Sequence, residues 1–480
     1  MTLTITLVKA PAEGAIPVEA VRAEDLDGHP LRELLTAAGF EAKVGQTQYA
    51  SFDDRGAGMV VGLGTDDDRT LETVRTVGAS IARATSKHDV VAVTGLLEAG
   101  GDQSPAKVAQ AVAEGLRLGQ YRYTDLKSEP EPSTLTTVEI VGTGGKRVQD
   151  AFDLGNAVAE AACVTRDLVN EPGGSLTPTA MAKKAEQLGR RYGFVVEVLG
   201  PKEIRAAKMG GILGVNRGSV QAPRYLRLTW TPESSPRGTV ALVGKGVTFD
   251  SGGLSLKPSD GMLWMKGDMA GAGAVVGAFC GLGAVKPRVE VRGYVPLTDN
   301  MTGGDATRVG DVLTISNGKT VEVHNTDAEG RLILADALAD ASSAGPDAIV
   351  DLATLTGACM VALGPNHAGV MGTNESWVEQ VLAAAESSGE KAWPLPLPDE
   401  WRKNLDSEIA DMKNIGGRFG GASIAGLFLR EFVGEGLPWA HIDIAGPAFT
   451  DQGSEIESKG GTGYGVRTLL ELLKSYKKPR

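Results

Sequence analysis

Short apolar runs alternate with amphipathic stretches along the first 150 residues, and that alternation narrows the fold to an α/β arrangement. Met59 to Leu63 has the continuous apolar character of a buried strand. A helix is expected from Arg69 to Ala84, a strand from Val90 to Val93, a helix from Pro105 to Leu118 and a strand from Thr137 to Val141. The first eight residues alternate polar and apolar like a strand and lack the basic start and apolar block of a signal peptide. Lys127 to Pro132, acidic and proline-rich, reads as a loop.

A chain of 480 residues exceeds one ordinary core, so two domains are expected. Ala151 to Val169 reads as one long helix, closed by Asn170-Glu171-Pro172-Gly173-Gly174, and the domain junction is placed there. Thr177-Pro178 then has the form of a helix cap followed by proline at the first helical position. Beyond it lies a second α/β region, where many of the 64 glycines crowd between residues 210 and 310. Glycine weakens helices and strands, so this density calls for tight turns or close backbone approach.

Composition removes several classes of function. The net charge is −12, and the first 150 residues hold 15 Lys/Arg against 22 Asp/Glu, a difference of −7. That balance argues against binding a polyanion by bulk charge. No run of 18 or more apolar residues occurs, so no membrane partner is expected. Cys163, Cys280 and Cys359 are far apart and form no CxxC pair, which excludes a disulfide framework or thiolate zinc site. They read as buried thiols in a reducing compartment, and a cytoplasmic location is expected.

The chemistry concentrates at strand ends. Val240 to Val243 is read as a strand, followed by Gly244-Lys245-Gly246-Val247-Thr248-Phe249-Asp250-Ser251-Gly252-Gly253. Thr320 to Asn325 is read as a second, followed by Thr326-Asp327-Ala328-Glu329-Gly330-Arg331. Ala348 to Ala353 is a third, followed by Thr354-Leu355-Thr356-Gly357. Ligands of α/β sheets sit at the carboxyl ends of strands, and this layout delivers polar groups to one such edge three times. Asp268 can join them, since it precedes a small-residue helix from Met269 to Phe279.

Each of these residues has a plainer reading beside the chemical one. On extended chain, Asp327 and Glu329 point the same way and can reach one cation. Equally, Asp327 can cap the helix Arg331 to Ala341, with Glu329 as an acid of its first turn. Arg331 opposes the dipole of that helix, either as an ion pair or to hold an anion over a metal centre. Lys245 and Lys257 flank Asp250 as solvated lysines or as site residues. Lys245 could bind a metal only as the neutral amine, against a free pKa of about 10.4. Lys257 would serve better charged, holding a developing oxyanion. His29, His88, His324, His367 and His441 form no paired spacing, so any metal site must be carboxylate-rich, suiting zinc, manganese or magnesium. Gly144-Gly145-Lys146-Arg147 is not a phosphate-binding loop, lacking its first glycine and its Ser/Thr.

Asn325-Thr326-Asp327-Ala328-Glu329-Gly330-Arg331-Leu332 resembles the signature of the leucine aminopeptidase, or cytosol aminopeptidase, family, in its bacterial aminopeptidase A type. Gly244 to Pro258 is similar to that family's first metal-binding segment, and Met265-Lys266-Gly267-Asp268-Met269 follows in the family's order. The resemblance covers roughly residues 150 to 480. The strand and helix pattern gives an expected α/β fold of two domains joined by a linker helix and junction at 151–175. A smaller N-terminal α/β domain would occupy 1–150; a larger catalytic domain, with a mixed central sheet flanked by helices, would occupy 176–480. The resemblance implies that Lys245, Asp250, Asp268, Asp327 and Glu329 bind two divalent ions, Mn2+ or Zn2+, with Mg2+ an option in the looser site. Lys257 and Arg331 match the family's catalytic pair, Arg331 holding a bicarbonate as general base. Met265, Thr354, Leu355, Gly357 and Ala445 match the substrate pocket, suited to Leu and similar first residues of short peptides with a free N-terminus. A homohexamer is implied as well. The competing readings are a dinuclear phosphoesterase and a DNA-binding architectural or regulatory role known among bacterial relatives; the shortage of His opposes the first and net charge the second.

Overall fold

In the computed structural model, which describes residues 3–53 and 55–480, the chain separates by its internal contacts into two units. One runs to Cys163 and takes in Asp451–Lys459; the other is Val164–Thr450 with Gly460–Arg480. The long helix expected at 151–169 spans Gly145–Asn170, and the units part within it.

The first unit carries a six-stranded sheet in the order Thr4–Val8, Thr137–Val141, Val90–Thr94, Ile16–Val21, Gly56–Gly62, Thr47–Phe52. Successive neighbours are parallel except Thr47–Phe52, which runs antiparallel at the edge. Its helices include Leu71–Ala84 and Pro105–Gln120. The first begins after the expected Arg69 because Thr70 caps it, accepting the Thr73 N–H. Sequence patterning does not single out Ile16–Val21 or Thr47–Phe52. Pro17 interrupts one, and the other lies half exposed at the sheet edge.

The second unit is built on a nine-stranded mixed sheet. Its main path runs Ala392–Pro394, Ala368–Gly372, Trp439–Asp443, Ala348–Ala353, Thr239–Gly244, Glu290–Asn300, Arg224–Trp230, Val195–Leu199. From Trp439–Asp443 to Glu290–Asn300 the strands are parallel, and Ala348–Ala353 is buried along its whole length. Gly246–Asp250 departs from this path. After Lys245 the chain shifts along the neighbouring strand and pairs with Leu297 to Asn300.

The helices Ala270–Val285 and Gly330–Ser343 pack on Thr239–Gly244 and Ala348–Ala353. A Cβ at Gly271 would stand 2.1 Å from Leu352 O, so the glycine lets the helix backbone lie directly on the strand. By length and composition Ser259–Val285 could cross a membrane, yet 83% of that window is buried inside the protein. It supplies a core helix. All three cysteines are buried, and Thr177 caps Pro178–Tyr192 by accepting the Ala180 N–H.

One expectation needs correction. The strand read over Thr320 to Asn325 stops at Glu322, and it belongs to a separate three-stranded sheet with Val312–Thr314 and Met412–Lys413. Of the three strands expected to share one sheet edge, Thr239–Gly244 and Ala348–Ala353 do so. The Thr320 strand pairs first with its hairpin neighbour Val312–Thr314, through a turn in which Gly318 adopts φ 92°.

Asp351 locks the middle of the main sheet. Fully buried, it accepts from Trp439 Nε1 at 2.6 Å and from His441 Nδ1 at 2.6 Å, both on the adjacent strand. Asp351→Ala strands two buried donors, and denaturant unfolding should show a loss of about 2–4 kcal/mol.

Candidate metal centre

Lys245 occupies the break between Thr239–Gly244 and Gly246–Asp250. Its N–H donates to Leu352 O at 3.0 Å, and its carbonyl accepts the Ala272 N–H at 2.8 Å. Sheet and helix thus hold the residue by its backbone. Its Nζ lies 2.8 Å from Asp268 Oδ1, 2.8 Å from Glu329 Oε1 and 2.9 Å from Thr354 O. Lys257 closes the next loop, its N–H donating to Ser251 O at 3.0 Å. Its Nζ lies 3.0 Å from Asp250 Oδ2 and 2.5 Å from Asp327 Oδ1. The two lysines therefore join all four carboxylates.

Asp250, Asp327 and Glu329 each offer an oxygen within 4.8 Å of the other two. Asp268 joins the group by sharing Lys245 with Glu329. Asp250, Asp268 and Glu329 are buried. Burial and the charge of Glu329 push the Asp250 carboxyl up to about 7, although both lysines oppose this. Burial raises Asp268 well above the carboxylate range. Glu329 goes the other way, because Lys245 outweighs its burial. Burial works to lower Lys245 as well, but Asp268, Glu329 and Asp250 hold it above the ordinary lysine value.

This arrangement suits divalent cations. Four carboxylates face two lysines, an excess of formal negative charge. Asp268 Oδ2 is buried without a hydrogen-bond partner, while Asp327 Oδ1 and Glu329 Oε1 meet only the lysine ammoniums. Oxygen donors with one amine, and neither thiolate nor imidazole among them, fit Mn2+, Zn2+ or Mg2+.

Arg331 lies in the first turn of Gly330–Ser343, as expected, and is buried. Burial lowers its pKa to about 10 against the pull of Glu329 and Asp443. Nη1 donates to Asn414 O at 2.6 Å, while Nε has no hydrogen-bond partner. The local reading of Asp327 and Glu329 is corrected. The chain there turns instead of extending, with Asn325 Oδ1 accepting the Asp327 N–H at 2.8 Å. Glu329, not Asp327, holds the N-cap position, and its side chain makes no capping bond. The turn still brings both carboxylates into one cluster.

Of the five positions expected in a substrate pocket, Thr354 meets the charged group directly. Thr354 Oγ1 donates to Asp268 Oδ1 at 2.8 Å. Met265 opens the short turn Met265–Gly267 before Asp268, and Gly357 opens the helix Gly357–Leu363. Leu355 N and Ala445 N both donate to Asp443 Oδ1 at 3.2 Å, so one buried carboxylate ties these two segments together. Sequence reasoning missed Asp443 and also Asn300, whose Nδ2 donates to Asp250 Oδ1 at 2.8 Å and Thr326 O at 2.9 Å. A signal existed for both: each is the polar end of an apolar strand, the same layout that singled out Asp250.

Fold and edge together define an α/β metallohydrolase. Residues 163–470 match the cytosol aminopeptidase family's catalytic domain and residues 9–130 its N-terminal domain, and the chain belongs to this family of metal-dependent aminopeptidases. A probable cytosol aminopeptidase of Cyanothece sp. is 42% identical over 455 residues, covering 93% of this chain and 91% of that one. Another, of Nostoc punctiforme, is 43% identical over 446 residues, covering 92% and 90%. Among solved structures, the bottromycin maturation enzyme BotP in complex with Mn has a TM-score of 0.89 at 41% identity, covering 96% of this chain and 99% of that one. A tomato leucine aminopeptidase mutant has a TM-score of 0.89 at 34% identity, covering 99% and 97%.

Gly330 tests how closely the centre is packed, since a Cβ there would stand 2.5 Å from Lys245 Cε and 2.7 Å from Nζ. Gly330→Ala should keep the circular dichroism of the wild type and lower turnover of an aminoacyl anilide about 100-fold, because Lys245 is displaced.

Proposed function

We propose that this aminopeptidase removes N-terminal residues, preferentially Leu and similar apolar ones, from short peptides by hydrolysis at a two-metal site. The observation that carries the reading is the meeting of Asp250, Asp327 and Glu329 within 4.8 Å beside Lys245. Lys245, Asp250, Asp268, Asp327 and Glu329 would hold two ions, Mn2+ or Zn2+, with Mg2+ an option in the looser site. Bound there, they would supply Lewis-acid polarisation of the scissile carbonyl, activation of water and an anchor for the free α-amine.

The remaining steps belong to the chain. The Asp250 and Asp327 carboxylates hold the Lys257 ammonium charged despite partial burial, so it can donate to the carbonyl oxygen as negative charge develops. Arg331, whose buried Nε has no hydrogen-bond partner in the structure, would hold bicarbonate as the general base. Thr354 and Leu355 with Gly357, Met265 and Ala445 would line the pocket for the first side chain, their small and apolar character favouring Leu. Every one of these residues falls in the proposed catalytic domain, 176–480. A cytoplasmic homohexamer completes the proposal.

Metal analysis coupled to kinetics separates the roles. Asp327→Asn and Glu329→Gln should purify with reduced metal. Lys257→Ala and Arg331→Ala should keep metal and lose about 100- to 1,000-fold in kcat. Full metal content with full activity in the first pair contradicts the ligand assignment. Separately, leucine anilide should exceed glutamate anilide in kcat/KM, and the reverse order would refute the apolar pocket.

A further inference from the structure

We propose that Asn414 is a positioning residue for the metal centre, its buried amide locking the turn that presents Asp327 and Glu329. The inference rests on the reading of those two carboxylates as metal ligands.

Asn414 directly follows the strand Met412–Lys413, which pairs in parallel with Thr320–Glu322. The pairing extends one step further, with Asn414 N–H donating to Glu322 O at 3.0 Å. This places Asn414 beside the point where the other chain leaves its strand and heads for the centre. Its side chain is 0% exposed there and bonds only to backbone groups in the structure's hydrogen-bond network. Oδ1 accepts the His324 N–H at 2.8 Å and the Asn325 N–H at 3.3 Å. Nδ2 donates to Asn325 O at 2.7 Å and Ala328 O at 3.3 Å. An amide has two donors and two acceptor lone pairs, so its capacity is used in full.

Residues 323–329 belong to neither helix nor strand, so their backbone groups lack the partners a regular element would supply. Asn414 supplies four of them, from His324 to the residue just before Glu329. It thereby sets the path of the chain between the strand end and the two carboxylates. Its own carbonyl accepts from Arg331 Nη1 at 2.6 Å. The carboxylate turn and the guanidinium are thus both referenced to one residue. Other contacts hold the middle of the turn: Thr326 Oγ1 donates to Gly252 O at 2.7 Å, and Asn300 Nδ2 reaches Thr326 O. Asn414 grips its two ends.

Aspartate has nearly the same shape and makes the sharpest test. It keeps the acceptor toward His324 and Asn325, but it presents oxygen to Asn325 O and Ala328 O, where donors are needed. Partners that orient metal ligands typically contribute about 10- to 100-fold in metal affinity.

The test uses the full chain and Mn2+ alone, with affinity measured by chelator competition. Asn414→Asp and Asn414→Ala should weaken Mn2+ binding about 10- to 100-fold. Trp377→Phe serves as a stability control at the opposite end of Ala348–Ala353, where it removes the Nε1 bond to Ile349 O. It should lower the unfolding midpoint and leave Mn2+ affinity unchanged. Wild-type affinity in folded Asn414→Asp overturns the proposal, and so does a Trp377→Phe variant that loses affinity along with stability. If the wild type itself binds no Mn2+, the ligand reading fails first and takes this inference with it.

Discussion

At Lys245 the central sheet gives up its hydrogen-bond register, and the rest of the centre depends on how that break is held. The N–H is tied to the strand Ala348–Ala353 and the carbonyl to the start of Ala270–Val285. Beyond the break, the chain pairs again with the same neighbouring strand, farther along. The ammonium therefore stands at a position set by three elements, and it meets Asp268 and Glu329 at equal distance. Gly330 packs close against it, since a Cβ there would stand 2.7 Å from Nζ.

Concentrating this much charge out of water is unfavourable unless each group is paired. The structure meets part of the requirement with neutral and backbone donors. Gly252 N–H and Asn300 Nδ2 serve Asp250, Thr354 Oγ1 serves Asp268, and the Thr356 hydroxyl with three backbone N–H groups serves Asp443. The lysines meet another part. Asp268 Oδ2 remains buried with no donor at all. A metal-dependent member of the cytosol aminopeptidase family has a physical reason to keep it so: an oxygen already committed to a donor is a poor ligand.

How far this was legible depends on the distance over which each signal acts. The helices Leu71–Ala84 and Pro105–Gln120, the cap at Thr177 and the strand Ala348–Ala353 follow from periodicity and capping, which are local. The residues proposed to hold metal were legible as motifs, and their side chains cluster in the structure. The misjudged pieces were those decided by distant partners. Thr320–Glu322 ended early because its ladder partners are a hairpin strand and a segment some ninety residues away. Asp327 sits in a turn whose shape is imposed by Asn325, Asn300 and Asn414.

Taken alone, the amino-acid sequence determined the α/β class, the chemical types available at the centre and the order in which they arrive, because these depend on residue identity and spacing. The tertiary structure decided which lysine meets which carboxylate, that Asn300, Asn414 and Asp443 support the centre, and where negative charge exceeds positive. Those outcomes turn on separations of about 3 Å between residues far apart in the chain, the range at which hydrogen bonds and ion pairs form. Spacing along a chain carries no information about distances of that kind until the sheet brings its strands together.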